Sequence, residues 1–98
     1  MYFFTFLAHP KPSSTEYGTV DGAYVNVWVD DPLEVSAEAT AREFVEADGW
    51  DIERREEAHR LAPDHYGAGD SGFEHMAQAH ADGLCAVFHE WRVGAPDE

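Results

Sequence analysis

Six histidines, one cysteine and one aromatic strand are the residues of this chain that could carry chemistry. His9, His59, His65, His75, His80 and His89 raise metal binding first, and their spacing argues against it. A zinc-binding helix presents ligands three or four residues apart, whereas His75 and His80 are five apart and no CxxC accompanies them. A composite site from Asp64, His65 and another histidine has no spacing in its favour, so neither a metal nor a cofactor is expected. His80 falls on the apolar stripe of a helix and reads as a hydrogen-bonded residue at the core edge. His59, near Glu56 and Glu57, reads as solvated.

Nucleophilic catalysis needs an activated Ser or Cys. Cys85 lies in the apolar run 84–88 without a base beside it in sequence, and apolar surroundings raise a thiol's pKa. Ser13, Ser14, Ser36 and Ser71 lack the Gly-x-Ser-x-Gly elbow. His89 and Glu90 are adjacent on a strand and therefore point to opposite faces. Gly67, Gly69 and Gly72 sit among acidic residues with no P-loop lysine following, which disfavours a phosphate cradle. No catalytic residue is assigned.

What remains is a surface. Residues 23–29 alternate with period two: Ala23, Val25, Val27 and Val29 on one side, Tyr24, Asn26 and Trp28 on the other. An antiparallel strand commonly buries one side and wets the other, so two large aromatics on the second side ask what covers them. The same alternation sends His89 and Trp91 of the last strand to that side, with His9 at its rim. Tyr24, Asn26, Trp28, His89, Trp91 and His9 are the expected ligand-binding or partner-binding residues. A second minor core, a subunit interface and a small-molecule pocket are the three ways such a face is used.

The elements that must position these side chains follow in order. Residues 1–8, rich in Tyr2, Phe3, Phe4 and Phe6, read as a buried strand, and residues 10–21, with two prolines and a serine-threonine cluster, as a long loop with a short irregular extension near 17–20. A strand over 22–30 exits through Asp31, Pro32 and Glu34, the pattern of a helix cap. Leu33, Ala37, Ala41, Phe44 and Val45 then form a helical stripe that stops at Gly49. Trp50 and Ile52 open a third strand so heavily charged that it belongs at a sheet edge, a helix over 53–61 being the lesser possibility; a loop over 61–70 follows. Ser71 and Glu74 repeat the capping spacing for a second helix, with Phe73, Met76, Ala77 and His80 on one face, ending at Gly83. Residues 84–93 form the last strand and 94–98 a polar tail.

The order β-β-α-β-α-β in one 1–98 domain predicts an α+β fold. Two helices on one face of a four-stranded, mainly antiparallel sheet would make a two-layer sandwich resembling a rearranged ferredoxin-like fold, a resemblance that carries no activity with it.

Charge bounds the partners. Twenty carboxylates against six basic residues leave a formal net charge of −14, which opposes nucleic acid and anionic membranes. It fits either general surface adaptation or steering toward a basic protein. A lone cysteine, no signal or transit peptide and no apolar stretch of membrane-spanning length point to a cytoplasmic protein. The expectation is a small acidic cytoplasmic binding module, either homodimeric or an adaptor, regulator or inhibitor of a basic partner. The alternative is a small ligand-binding domain or enzyme using the open aromatic face.

Overall fold

The computed structural model describes residues 1–92. The aromatic amino terminus and the alternating second strand pair directly: β1 (Tyr2–Pro10) lies antiparallel to β2 (Val20–Val29), with Phe4 opposite Val27 and Phe3 opposite Trp28. β3 (Trp50–Arg60) joins the far side of β1 and β4 (Leu84–Arg92) the far side of β2, giving the order β3-β1-β2-β4 with every pairing antiparallel. β2 and β3 both oppose β1 and so run parallel to each other with β1 between them. The helix linking them, α1 (Glu34–Ala47), makes a split crossover. The expected class holds: an α+β domain built on a four-stranded antiparallel sheet with two helices.

The sheet has a valine face and an aromatic face. Phe4, Phe6 and Ala8 of β1, with Ala23, Val25, Val27 and Val29 of β2, meet Ala37, Ala41 and Val45 of α1, and Trp50 closes this core. Sheet and α1 thus form a two-layer sandwich. α2 (Ser71–Asp82) is placed differently from the expectation: its Met76 and Ala79 pack with Trp28 and Leu61 on the aromatic face. The two helices therefore lie on opposite faces, and an arrangement with both on one side does not describe these contacts. The reason is connectivity. β3 and β4 are the two edges of the sheet, so the chain between them must cross a face, and on the aromatic one its Met76 and Ala79 cover Trp28 and Phe3.

Local signals act slightly away from where the sequence places them. The Asp31 carboxylate accepts the Leu33 amide at 2.8 Å and the Ser36 hydroxyl at 2.6 Å, and these two bonds, the hydroxyl first, hold its carboxyl below the usual range. It organises the turn before α1 rather than capping the helix itself. Leu33 and Phe44, expected in the buried stripe, are exposed: Leu33 stands at the N-cap before the helix begins, and the stripe that meets the sheet is Ala37, Ala41 and Val45. On α2 the buried stripe is Gly72, Met76 and Ala79, whereas Phe73 and His80 face outward; the His80 ring lies 3.4 Å from the Asp30 carboxylate. Asp70, not Ser71, stands at the cap. Gly49 and Gly83 have φ of +99° and +89°, the left-handed backbone that ends each helix.

β3 is the edge strand its charge implies. It skips Glu56 and Glu53 in pairing with β1, so two bulges interrupt it. Arg54 bonds Glu56 at 2.5 Å and Glu53 at 3.2 Å, while Arg55 reaches across to Glu38 of α1 at 2.6 Å. Glu38 also takes the Arg42 guanidinium at 2.8 Å, and these bonds, that to Arg42 first, hold its carboxyl below the ordinary range. Among the described residues no helix is long and apolar enough to cross a membrane. The polar tail expected at 94–98, and Val93 at the end of the last strand, lie outside the described residues.

Both faces being packed against helices has a direct consequence for stability. Val27→Ala, at a fully buried site, is expected to lower unfolding free energy by about 2 kcal/mol. Trp28→Ala is expected to lower it by about 3–5 kcal/mol, as for a core aromatic. Urea titration measures both; a Trp28→Ala variant as stable as the parent would mean that α2 does not seal the aromatic face.

Candidate functional site

Strand alternation does bring Tyr24, Asn26, Trp28, His89, Trp91 and His9 to one face, with Tyr24 opposite His89, Asn26 opposite Val87, and Trp28 opposite Cys85. Tertiary structure then divides that face in two. At the end where β4 begins, α2 and the segment following β3 cover it; at the end where β4 finishes, no described element does.

Trp28 belongs to the covered half. It is 5% exposed, its indole Nε1–H donates to the Tyr66 hydroxyl at 3.1 Å, and its ring lies 4.9 Å from those of both Phe3 and His75. Its indole N–H has a partner and its faces have neighbours, so it is a core residue and not part of an open surface. Tyr66 reaches it because Gly72 offers no side chain: a Cβ there would stand 2.3 Å from Tyr66 Cε1. Asn26 occupies the boundary row, where its Oδ1 accepts the Thr5 hydroxyl at 2.9 Å, a cross-strand bond that ties β1 to β2.

The open half holds Tyr24, Trp91, His89 and the half-buried Leu7, while Val87, opposite Asn26, packs against the covered cluster. Tyr24 is 44% exposed, and its ring sits 5.4 Å from that of Trp91 at an angle of 46°. The Trp91 indole rests against the strand at Gly22, where a Cβ would be 2.5 Å from its Cζ2 and 3.1 Å from the Ala8 carbonyl. A glycine in a strand interior commonly marks such a close approach. His9 is exposed and pairs with Asp51 on the β3 side. It stands two strands away from His89, which at about 4.8 Å per strand puts roughly 10 Å or more between them. The two histidines do not form a joint site. His9 instead lines a cleft of about 500 Å³ with Tyr17, Val20, Asp21 and Asp51, off the aromatic patch.

One juxtaposition was invisible in sequence. Cys85 Sγ lies 3.8 Å from Nδ1 of His75, ten residues earlier on α2. Burial, with the Asp82 carboxylate behind it, pushes the thiol above its ordinary pKa. Since the thiolate is the nucleophile, this shift disfavours reaction at Cys85. Of the residues of this face, the sequence gives Tyr66 and Gly22 no role and raises His75 and Gly72 only as a metal ligand and part of a phosphate cradle. A glycine inside each of two otherwise regular elements was the available signal.

The open half therefore offers aromatic contact area on a rigid sheet, flanked by ionisable groups, which is suited to binding. The chain matches no family model, curated protein or solved structure.

Gly22→Ala tests the geometry of this half directly. The added methyl must displace the Trp91 indole, so near-ultraviolet circular dichroism and tryptophan emission are expected to change while the far-ultraviolet spectrum stays. An unaltered near-ultraviolet spectrum would show that the indole does not rest on Gly22.

Proposed function

We propose that this chain is a small acidic cytoplasmic binding module that works as a homodimer and performs no chemistry of its own. The observation that carries the reading is the uncovered half of the aromatic face, where an exposed Tyr24 packs at an angle against Trp91 beside Leu7. Aromatic residues and an apolar centre are what subunit interfaces enrich. The strong negative charge then keeps the remaining surface soluble and open to a basic protein partner.

Self-association and capture of a basic partner respond to salt with opposite sign. Two copies each carrying a formal charge of −14 repel, and salt screens that repulsion. A complex of unlike charges weakens as salt rises. Sedimentation equilibrium at two protein concentrations and two ionic strengths is expected to show a dimer fraction that grows with both. Tyr24→Ala is expected to reduce that fraction without lowering the unfolding midpoint appreciably. A mass that stays monomeric at every protein and salt concentration would rule the homodimer out.

A further inference from the structure

The segment between β1 and β2, residues 11–19, is held by its own backbone. The Lys11 carbonyl accepts the Ser14 amide at 2.9 Å, the Ser14 carbonyl accepts the Tyr17 amide at 3.2 Å, and the Glu16 carbonyl accepts the amides of Thr19 and Val20 at 3.0 and 2.9 Å. Lys11 donates its own amide to the Gly49 carbonyl at 2.9 Å, which ties the loop to the turn after α1. Pro10 and Pro12 restrict the backbone further. A loop bonded in this way fixes where Tyr17 stands, although that residue is 59% exposed.

Tyr17 lines the cleft of about 500 Å³ at this end of the sheet, with Pro10 and Pro12 as apolar wall and His9, Asp21 and Asp51 as polar groups. Among the described residues neither aspartate is in an ion pair, whereas Arg42, Arg54 and Arg55 are all engaged by glutamates. Asp51 belongs to β3 and Asp21 to β2, the strands on either side of β1, so at about 4.8 Å per strand their backbones stand roughly 10 Å apart. His9, Asp21 and Asp51 accordingly do not converge as metal ligands would, and among the described residues no three such groups do. Two separated carboxylates, each able only to accept, with an aromatic ring and two proline rings between them, suit an organic cation. An anion would be repelled, and a neutral molecule would leave the charges unanswered.

We infer that this cleft binds a linear aliphatic diamine, with one ammonium group on Asp21, the other on Asp51, and the hydrocarbon chain between them against Tyr17 and the prolines. Separation of the carboxylates selects a dication over a simple amine, because one ammonium group satisfies only one of them. The formal charge of −14 draws every cation toward the chain, and the cleft adds what that field lacks, a spacing and an apolar middle. Its volume is that of a small-molecule site. The cleft lies off the Tyr24–Trp91 surface, so the inference does not depend on self-association.

Calorimetric titration of the full-length chain at physiological salt tests this with putrescine, n-butylamine and n-butanol, which share a four-carbon chain and differ in charge. Putrescine is expected to saturate a single site, n-butylamine to bind about tenfold more weakly, and n-butanol not at all. Asp21→Asn and Asp51→Asn, both at exposed positions, are each expected to weaken putrescine about tenfold and to remove its advantage over n-butylamine. Glu74→Gln takes the same charge from the exposed side of α2 and is expected to leave affinity within about twofold. Equal affinity for putrescine and n-butylamine, or an equal loss in all three variants, would reduce the effect to attraction by net charge and overturn the site. Tetralysine that displaces putrescine at lower concentration, and is weakened by the same two aspartate variants, would overturn the small diamine in favour of lysine side chains of a protein.

Discussion

Everything in this fold depends on the antiparallel pairing of β1 with β2. That pairing sets Phe4 opposite Val27 and Phe3 opposite Trp28, and so commits one row of side chains to each face of the central sheet. A slip of one residue would turn valines toward α2 and Trp28 toward α1, where Ala37 and Ala41 leave no room for an indole. The hydrophobic effect fixes the register because each face has its own cover. The Thr5–Asn26 hydrogen bond marks the same register from the polar side.

The two covers differ in kind. α1 presents small and branched residues to a smooth aliphatic surface and can approach closely along its length. α2 meets a surface made uneven by aromatics, and it does so at one end only. There Met76, a flexible side chain, fills space around Trp28 while Gly72 lets Tyr66 in to receive the indole N–H. An inner face half sealed and half open results, with the boundary at the Asn26 row. The feature proposed as functional is thus a consequence of helix length and placement: a twelve-residue α2 does not span the whole aromatic row.

Electrostatics follow the same asymmetry. Arg42, Arg54 and Arg55 are engaged by carboxylates on and around β3 and α1, which places a network of ion pairs on the side of the sheet carrying the protected edge. Exposed pairs of this kind contribute little stability individually. Their structural effect is to occupy one edge with charge and bulges. The opposite end of the molecule has a different pattern: burial, with Glu16 and Asp48 nearby, pushes the Glu90 carboxyl above its ordinary pKa.

Much of this architecture was legible in the amino-acid sequence. The period-two alternation of β2, the 3.6-residue spacing on α1, the glycine stops at Gly49 and Gly83 and the charge of β3 are local signals, and local physics produced the elements they imply. The face on which each side chain of β2 and β4 falls was determined as well, because the pleat allows no other outcome. What covers each face was not. α2 reaches the aromatic side in crossing from one edge of the sheet to the other, and that crossing depends on strand order, a non-local property. Trp28 became core and Tyr24 stayed at the surface for this reason alone, although the two residues occupy equivalent positions in the alternating pattern. The contact of Cys85 with His75 and the seat of Trp91 on Gly22 arise likewise, from packing between elements that only the folded chain brings together.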